Sequence, residues 1–390
     1  MRGRNFGGAS WIKSIPNSPN RRWQGLLQQL WVMVRRSQRS TNFASVLKFI
    51  FRLVVTVTIR EVRMTQTTEL LMVAFGGPAP GCCERFEVCP GEAYCFVSGI
   101  FGHNEARRDR IEEVVAHYRE LGGYSGFNAY TADQADALVA ELQRRGLPMR
   151  VRCGYHHWHP YVRDVLAEMR SDGIENVLVL IMAPHQSSVS WDQYLRIVGE
   201  GIQQLQEAGE PAPQVMGVID PWWNVAGFID AVSARIDTAA ETIGVDLNAI
   251  DTGLLLTAHA IPQPVSRTAP YCTQVQETAA LVAQKLGVED YTVAYQSQPS
   301  VSTIPWTGPS VEEAIAACAE AGKTKIVSSA IGFLCDNVEV MYDLGIEGQR
   351  SAEAHGMVFA RAESVHSHPA FISMLADRVE AKLSALRAAS

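Results

Sequence analysis

From residue 69 onward, short apolar runs alternate with longer stretches of helical period. This alternation confines the chain to a parallel α/β architecture, because parallel strands can be joined only by a crossover long enough to hold a helix. Runs at 70–75, 149–153, 177–183, 214–219, 253–258, 291–295 and 325–330 predict strands. Amphipathic stretches at 109–121, 132–145, 161–170, 191–208, 274–286, 311–321 and 369–386 predict helices. Such units close with right-handed crossovers.

The pattern occurs twice. Leu-Leu-Met-Val-Ala-Phe-Gly-Gly-Pro at 70–78 echoes Leu-Leu-Leu-Thr-Ala-His-Ala-Ile-Pro at 254–262, an offset of 184. Pro160, Val162, Ala167, Gly173 and Val177 echo Pro309, Val311, Ala316, Gly322 and Ile326, an offset of 149. Two blocks recurring in the same order predict two similar Rossmann-like domains, 64–240 and 241–390, each a parallel sheet flanked by helices. Ligands of such sheets sit beyond the carboxyl ends of the strands, so the cleft between the domains is the expected site.

A chain of 390 residues accommodates two domains. Its net charge of −7 conceals an asymmetry. Residues 1–63 carry twelve Lys/Arg against one acid, Glu61, leaving 22 basic and 40 acidic residues for the other 327. The acidic body argues against a nucleic-acid partner. The basic segment reads as a targeting peptide, as a membrane-surface arm, or as sequence upstream of a true start at Met64. The third reading is favoured, because strand-like sequence begins six residues after Met64. Residues 1–63 are then expected to be disordered or not native. No run of 18 uncharged apolar residues occurs, so no transmembrane helix is expected.

The eight cysteines are expected to be reduced, in a cytoplasmic protein. Cys82, Cys83, Cys89 and Cys95 crowd one Gly/Pro-containing loop, but their spacing fits no common zinc or cluster motif. His156, His157 and His159 lack the i, i+4 spacing of a helical zinc pair. No dinucleotide or phosphate-loop fingerprint is present around Gly76-Gly77 or Gly122-Gly123.

Three strand exits carry side chains suited to chemistry. His259 ends an apolar run, where a histidine serves either as a hydrogen-bonded structural group or as a catalytic one. Asp336 follows the run at 325–330; it reads either as a helix cap with Glu339 completing a capping box, or as a carboxylate facing the cleft. Asp336, Glu339 and Asp343 share one face at helical spacing, and acids so aligned can pass a hydrated cation. Ala183-Pro184-His185 opens a polar stretch that lines a pocket or caps the helix at 191–208.

Taken in order, these segments resemble the ferrochelatase family, which inserts ferrous iron into a porphyrin to make haem. The resemblance covers about residues 69–386 and none of 1–63. It rests on 70–78, 117–125, 154–169, 183–194, 257–262, Tyr295-Gln-Ser-Gln298, Pro305-Trp-Thr-Gly-Pro309 and 332–347. It implies two chelatase-type Rossmann-like domains gripping porphyrin in the interdomain cleft. It implies His259 and Glu339 as catalytic residues. The porphyrin contacts it implies are Phe75, Tyr118, Ser125, His185, Trp223 and Trp306, and the metal positions are His259, Glu339, Asp343 and Glu347. Ferrous iron is substrate, no cofactor is required, and a 2Fe–2S cluster is not expected, since no cysteine follows Cys335. A monomer is expected, and the sequence identifies no acceptor for the haem.

Some positions depart from the family. Phe75 stands where many coproporphyrin-type relatives carry Tyr, and His117 stands where an Arg that pairs with propionates is common. The loop at 82–103 has no familiar counterpart. The stretch at 183–185 nevertheless resembles the coproporphyrin branch, so coproporphyrin III is favoured over protoporphyrin IX. The alternatives are a cobalt or nickel chelatase of the same fold and a non-catalytic tetrapyrrole carrier. A periplasmic-type binding protein would need an export signal.

Overall fold

The computed structural model describes residues 68–81, 91–299 and 302–389. The basic segment 1–63, Met64, Cys82, Cys83 and Cys89 lie outside these residues.

Eight strands form two four-stranded parallel sheets with the same internal order. The first runs β2-β1-β3-β4, with β1 Thr68–Ala74, β2 Val151–Tyr155, β3 Asn176–Ile181 and β4 Gln214–Val218. The second runs β6-β5-β7-β8, with β5 Thr252–His259, β6 Tyr291–Gln296, β7 Lys325–Ser329 and β8 Val358–Arg361. The sequence repeat is therefore a repeat of topology. β1 and β5 are the matched central strands. Tyr155 N–H donates to Pro160 O at 2.9 Å as Tyr295 N–H donates to Pro309 O at 2.8 Å. Both central strands are buried almost throughout, with apolar runs at 70–74 and 254–256, because helices cover both faces, as parallel sheets require.

The helices are α1 Glu92–Ile100, α2 Arg108–Glu120, α3 Phe127–Arg144, α4 Val162–Ser171, α5 Trp191–Glu207, α6 Ala226–Ile243, the short α7 Gln263–Ser266, α8 Tyr271–Leu286, α9 Val311–Glu320, α10 Gly348–Ala354 and α11 Pro369–Ala389. Glu339–Glu347 is a π-helix, not the α-helix that its spacing suggests. α6 includes the expected boundary at 240 and packs on β7, β8 and α8 of the second half. The terminal helix α11 crosses back, packing on α6 and on α3 of the first half. Gly227 allows that close approach, since a Cβ there would sit 2.5 Å from Met374 Cβ and 2.7 Å from Ala370 O. One apolar cluster runs through both halves, joining Leu70 and Leu178 to Leu254 and Val327 through Trp222, Phe228 and Phe371. No helix among the described residues is long and apolar enough to cross a membrane.

Candidate active site

In each sheet the strand order reverses direction beside the central strand, which leaves a crevice at the carboxyl edge. The two crevices meet. A cavity of about 340 Å³ lies between the exits of β1 and β3 on one side and of β5 and β7 on the other. Its volume is within the small-molecule range of roughly 300–1,000 Å³. Phe75 and His259, matched by the 184-residue repeat, both line it. The same position thus presents an aromatic ring from one half and an imidazole from the other.

His259 Nε2 lies 3.3 Å from Glu339 Oε1. The imidazole is fixed from behind: Nδ1–H donates to Ala260 O. The Tyr271 hydroxyl donates to His259 O at 2.8 Å. Glu339 opens the π-helix and is held through its backbone. Thr257 Oγ1 donates to Gln296 Oε1 at 2.8 Å, and Gln296 Nε2 donates to Glu339 O at 2.8 Å. Asn337 Oδ1 accepts from Val340 N at 3.0 Å and so caps the π-helix. Strand β6 thereby sets the height of the carboxylate that faces strand β5.

Burial alone pushes the His259 imidazole down, but the Glu339 charge and hydrogen bond, assisted by Ala260 O and Asp343, raise it to about 9. Burial pushes Glu339 up, and the His259 charge and hydrogen bond with the Asn337 amide hold it below its ordinary value. Near neutrality the pair is an imidazolium against a carboxylate, and it stores one proton. Glu339→Gln removes the group that outweighs burial. We expect the His259 titration, followed by NMR of the labelled imidazole, to move from about 9 to below 6.5. A midpoint that stays near 9 would show that Glu339 is not what holds the proton.

The π-helix carries the acidic line outward. Asp343 and Glu347 face a second, polar cavity of about 180 Å³, also lined by Arg110, Glu113, His117 and Glu312. His117 stacks on Tyr342 with centroids 3.8 Å apart, and its Nδ1 is 3.6 Å from Asp343 Oδ1. Burial and the Asp343 charge raise the Glu347 carboxyl. π-Helical turns recur at functional sites, and here the widened turn keeps Glu339, Asp343 and Glu347 in a file between the two cavities.

Of the residues expected at the site, Phe75, His185, Trp306, His259 and Glu339 line the main cavity. Tyr118 lies behind it, edge-on to Phe96 at 6.1 Å, and Phe96 is edge-on to Phe75 at 6.1 Å. Ser125 is buried beside Gly77, where an added Cβ would be 3.2 Å from Ser125 Oγ. Trp223 is away from the lining: its indole donates to Glu277 Oε2 at 2.7 Å, while its neighbour Trp222 fills the core. His185 is buried, and burial drives its imidazole down to about 3, so it is neutral. Asp336 does not face the cleft and caps nothing; Arg361 and His366 pair with it on the far side of the loop. The thiols of Cys153 and Cys335 are pushed up by burial, Cys153 to about 12. Cys95 is buried in α1.

The structure adds residues that the sequence did not single out. Thr131 and Gln134 of α3 and Tyr271 of α8 line the cavity from helices whose outward pattern gives no sign of it. Tyr194 of α5 also lines it, on the Glu339 side, where that carboxylate's charge adds to burial in raising the phenol.

A family model described as Ferrochelatase matches residues 103–383. A protein named Ferrochelatase from Deinococcus radiodurans is 31% identical over 80% of this chain and 95% of its own length. One of the same name from Rhodopirellula baltica is 33% identical over 81% of this chain and 86% of its own. A protein named Coproporphyrin III ferrochelatase from Mycolicibacterium vanbaalenii is 31% identical over 80% and 88%.

Proposed function

This chain belongs to the ferrochelatase family of metal-inserting enzymes, and on that premise we propose that it inserts ferrous iron into a porphyrin, releasing two protons, with His259 and Glu339 at the reacting centre. The observation that carries this reading is the 3.3 Å His259–Glu339 pair set into a cleft whose described lining holds no other Asp, Glu, Lys or Arg, with Asp343 and Glu347 leading away from it. Two pyrrole N–H protons must leave as one divalent metal enters. Imidazole nitrogen suits ferrous iron as a ligand and, once deprotonated, suits a pyrrole N–H as a base. Glu339 offsets the incoming charge and takes the proton onward. Glu347, with its raised carboxyl, is suited to hand protons to solvent. Phe75 and Trp306 supply flat apolar surface for the macrocycle. Phe75 carries no oxygen, so it offers the product iron no axial ligand.

Relatives named for coproporphyrin III and relatives named without a substrate both match this chain. We favour coproporphyrin III. The test is anaerobic metal insertion by the full chain, offering ferrous iron with coproporphyrin III and separately with protoporphyrin IX. The expected result is conversion of the free-base spectrum to the metallated one, faster with coproporphyrin III. No conversion of either would overturn the reading and leave a tetrapyrrole carrier.

A further inference from the structure

We propose that the buried floor of the cavity admits only a porphyrin edge that bears no carboxylate, so that the enzyme selects for the order of side chains around the macrocycle. This rests on the iron-insertion reading above and names the substrate feature that the site sorts. The floor includes Thr131, Gln134, His185, Ser187 and Cys335, each at most 2% exposed, whereas Val189 at the mouth is 51% exposed.

The side-chain amide and hydroxyl hydrogens of these floor residues are already committed. The Thr131 hydroxyl donates to Phe127 O at 2.8 Å. The Gln134 amide nitrogen donates to Leu334 O at 3.2 Å and to His366 O at 3.0 Å, which leaves its carbonyl oxygen. The Thr278 hydroxyl gives its one hydrogen to Trp223 O at 2.9 Å. At 2.9 Å from that hydroxyl, His185 Nε2 must therefore be the donor. This fixes the tautomer and leaves Nδ1 as a bare acceptor, buried and without a partner among the described residues. Ser190 donates to His185 O at 3.2 Å, so Ser187, 2.8 Å away, donates to Ser190. Cys335 adds only a thiol, a weak donor. Among the described residues lining the cavity there is no Lys or Arg.

An ionised carboxylate is an acceptor only. Against these side chains it would exchange water for acceptors, with neither a free side-chain amide or hydroxyl hydrogen among Thr131, Gln134, His185 and Ser187 nor a cation to replace it, which is among the costliest kinds of burial. A methyl group there meets Ile261 and Leu334 instead. The carboxylates must then point to the mouth. In a type III porphyrin one meso edge carries two methyl groups. In the type I isomer every meso edge carries a carboxylate side chain. Coproporphyrins I and III have the same atoms, charge and central nitrogens, so only the order of substituents separates them.

The experiment compares the two isomers with the full chain, by ferrous-iron insertion and, with metal omitted, by quenching of porphyrin fluorescence. We expect isomer III to bind and turn over at least tenfold better than isomer I. Equal binding overturns the proposal whether or not iron is inserted; equal binding with turnover leaves the iron-insertion reading intact. Insertion into neither isomer overturns that reading instead, and the quenching still decides the floor. Gln134→Lys, which sets an ammonium on the floor, locates the effect. The preference for isomer III should fall at least threefold, and an unchanged preference in variant protein of native circular dichroism overturns the assignment to the floor. Should that variant not fold, the wild-type comparison decides.

Discussion

His259→Ala should lose iron insertion by about 10²–10⁴-fold, the span that a positioned acid–base group supplies, while porphyrin binding changes by less than tenfold. The asymmetry follows from what the side chain touches. The cavity keeps its walls in this variant: Phe75, Trp306 and the buried floor come from other elements, and the backbone at 259 is held by its pairing with Gln296. What disappears is the imidazole and the proton that it shares with Glu339. Glu339 then loses its largest downward influence, leaving the Asn337 hydrogen bond and the Arg110 charge against burial, so it shifts upward and is a poorer site for an incoming divalent ion. Anaerobic absorbance reads turnover, and fluorescence quenching by the full chain reads binding. If both fell together, His259 would be a binding residue. If neither fell, the pair would have no part in the chemistry.

How much of this was legible follows from what each residue contrasts with. All seven strands expected from the sequence are present to within two residues, most plainly β1, β3 and β5, whose buried middles are uninterrupted apolar runs. β8 escaped notice: it is four residues long, edges its sheet and is half-exposed. α6 escaped although Phe228, Ile229, Val232, Ile236 and Ala239 recur on one face at helical spacing; it spans the expected boundary between the halves, and α8, α11 and the second sheet pack on it. Spacing put Asp336, Glu339 and Asp343 on one face and the resemblance extended the line to Glu347; Asp336 instead pairs with Arg361 and His366, and the π-turn was not readable, since the extra residue per turn leaves no mark in spacing. The repeat placed Phe75 opposite His259 from sequence alone. The resemblance could not tell Trp222 from Trp223, adjacent and alike, of which packing buried one and left the other to bind Glu277. His117 stands where the resembled family commonly has an Arg that pairs with propionates; the fold sets it against Tyr342 and Asp343, at the second cavity.

Asp336→Ala should destabilise the fold by about 3–5 kcal/mol, toward the lower end because Arg361 is 21% exposed, as when one partner of a buried ion pair is removed. Each Asp336 oxygen has a task. Oδ1 accepts from Ser364 N at 2.9 Å, and Oδ2 lies 3.1 Å from Arg361 Nη1 and 3.6 Å from His366 Nε2. These contacts tie the exit of β7, which carries Leu334, Cys335 and Glu339 to the cavity, to the exit of β8. Gln134 spans the same two loops from α3. Removing the carboxylate strands a cation and orphans a buried N–H in one step. Urea denaturation should register the loss as a lower midpoint at unchanged slope. The sign of the pH dependence is also fixed. Burial alone would raise the Asp336 carboxyl, but His366, Arg361 and the Ser364 N–H hold it well below its ordinary 3.8. Its ionised form therefore stabilises the native state fully above about 3.8, and that contribution drains away as pH falls below this value. Asp336→Asn keeps the shape and drops the charge, so its thermal midpoint should fall less steeply than the wild type's on acidification from pH ~5 to ~2.5. Parallel curves for the two proteins would mean that the charge contributes nothing, and that the loop junction is held by Gln134 and packing alone.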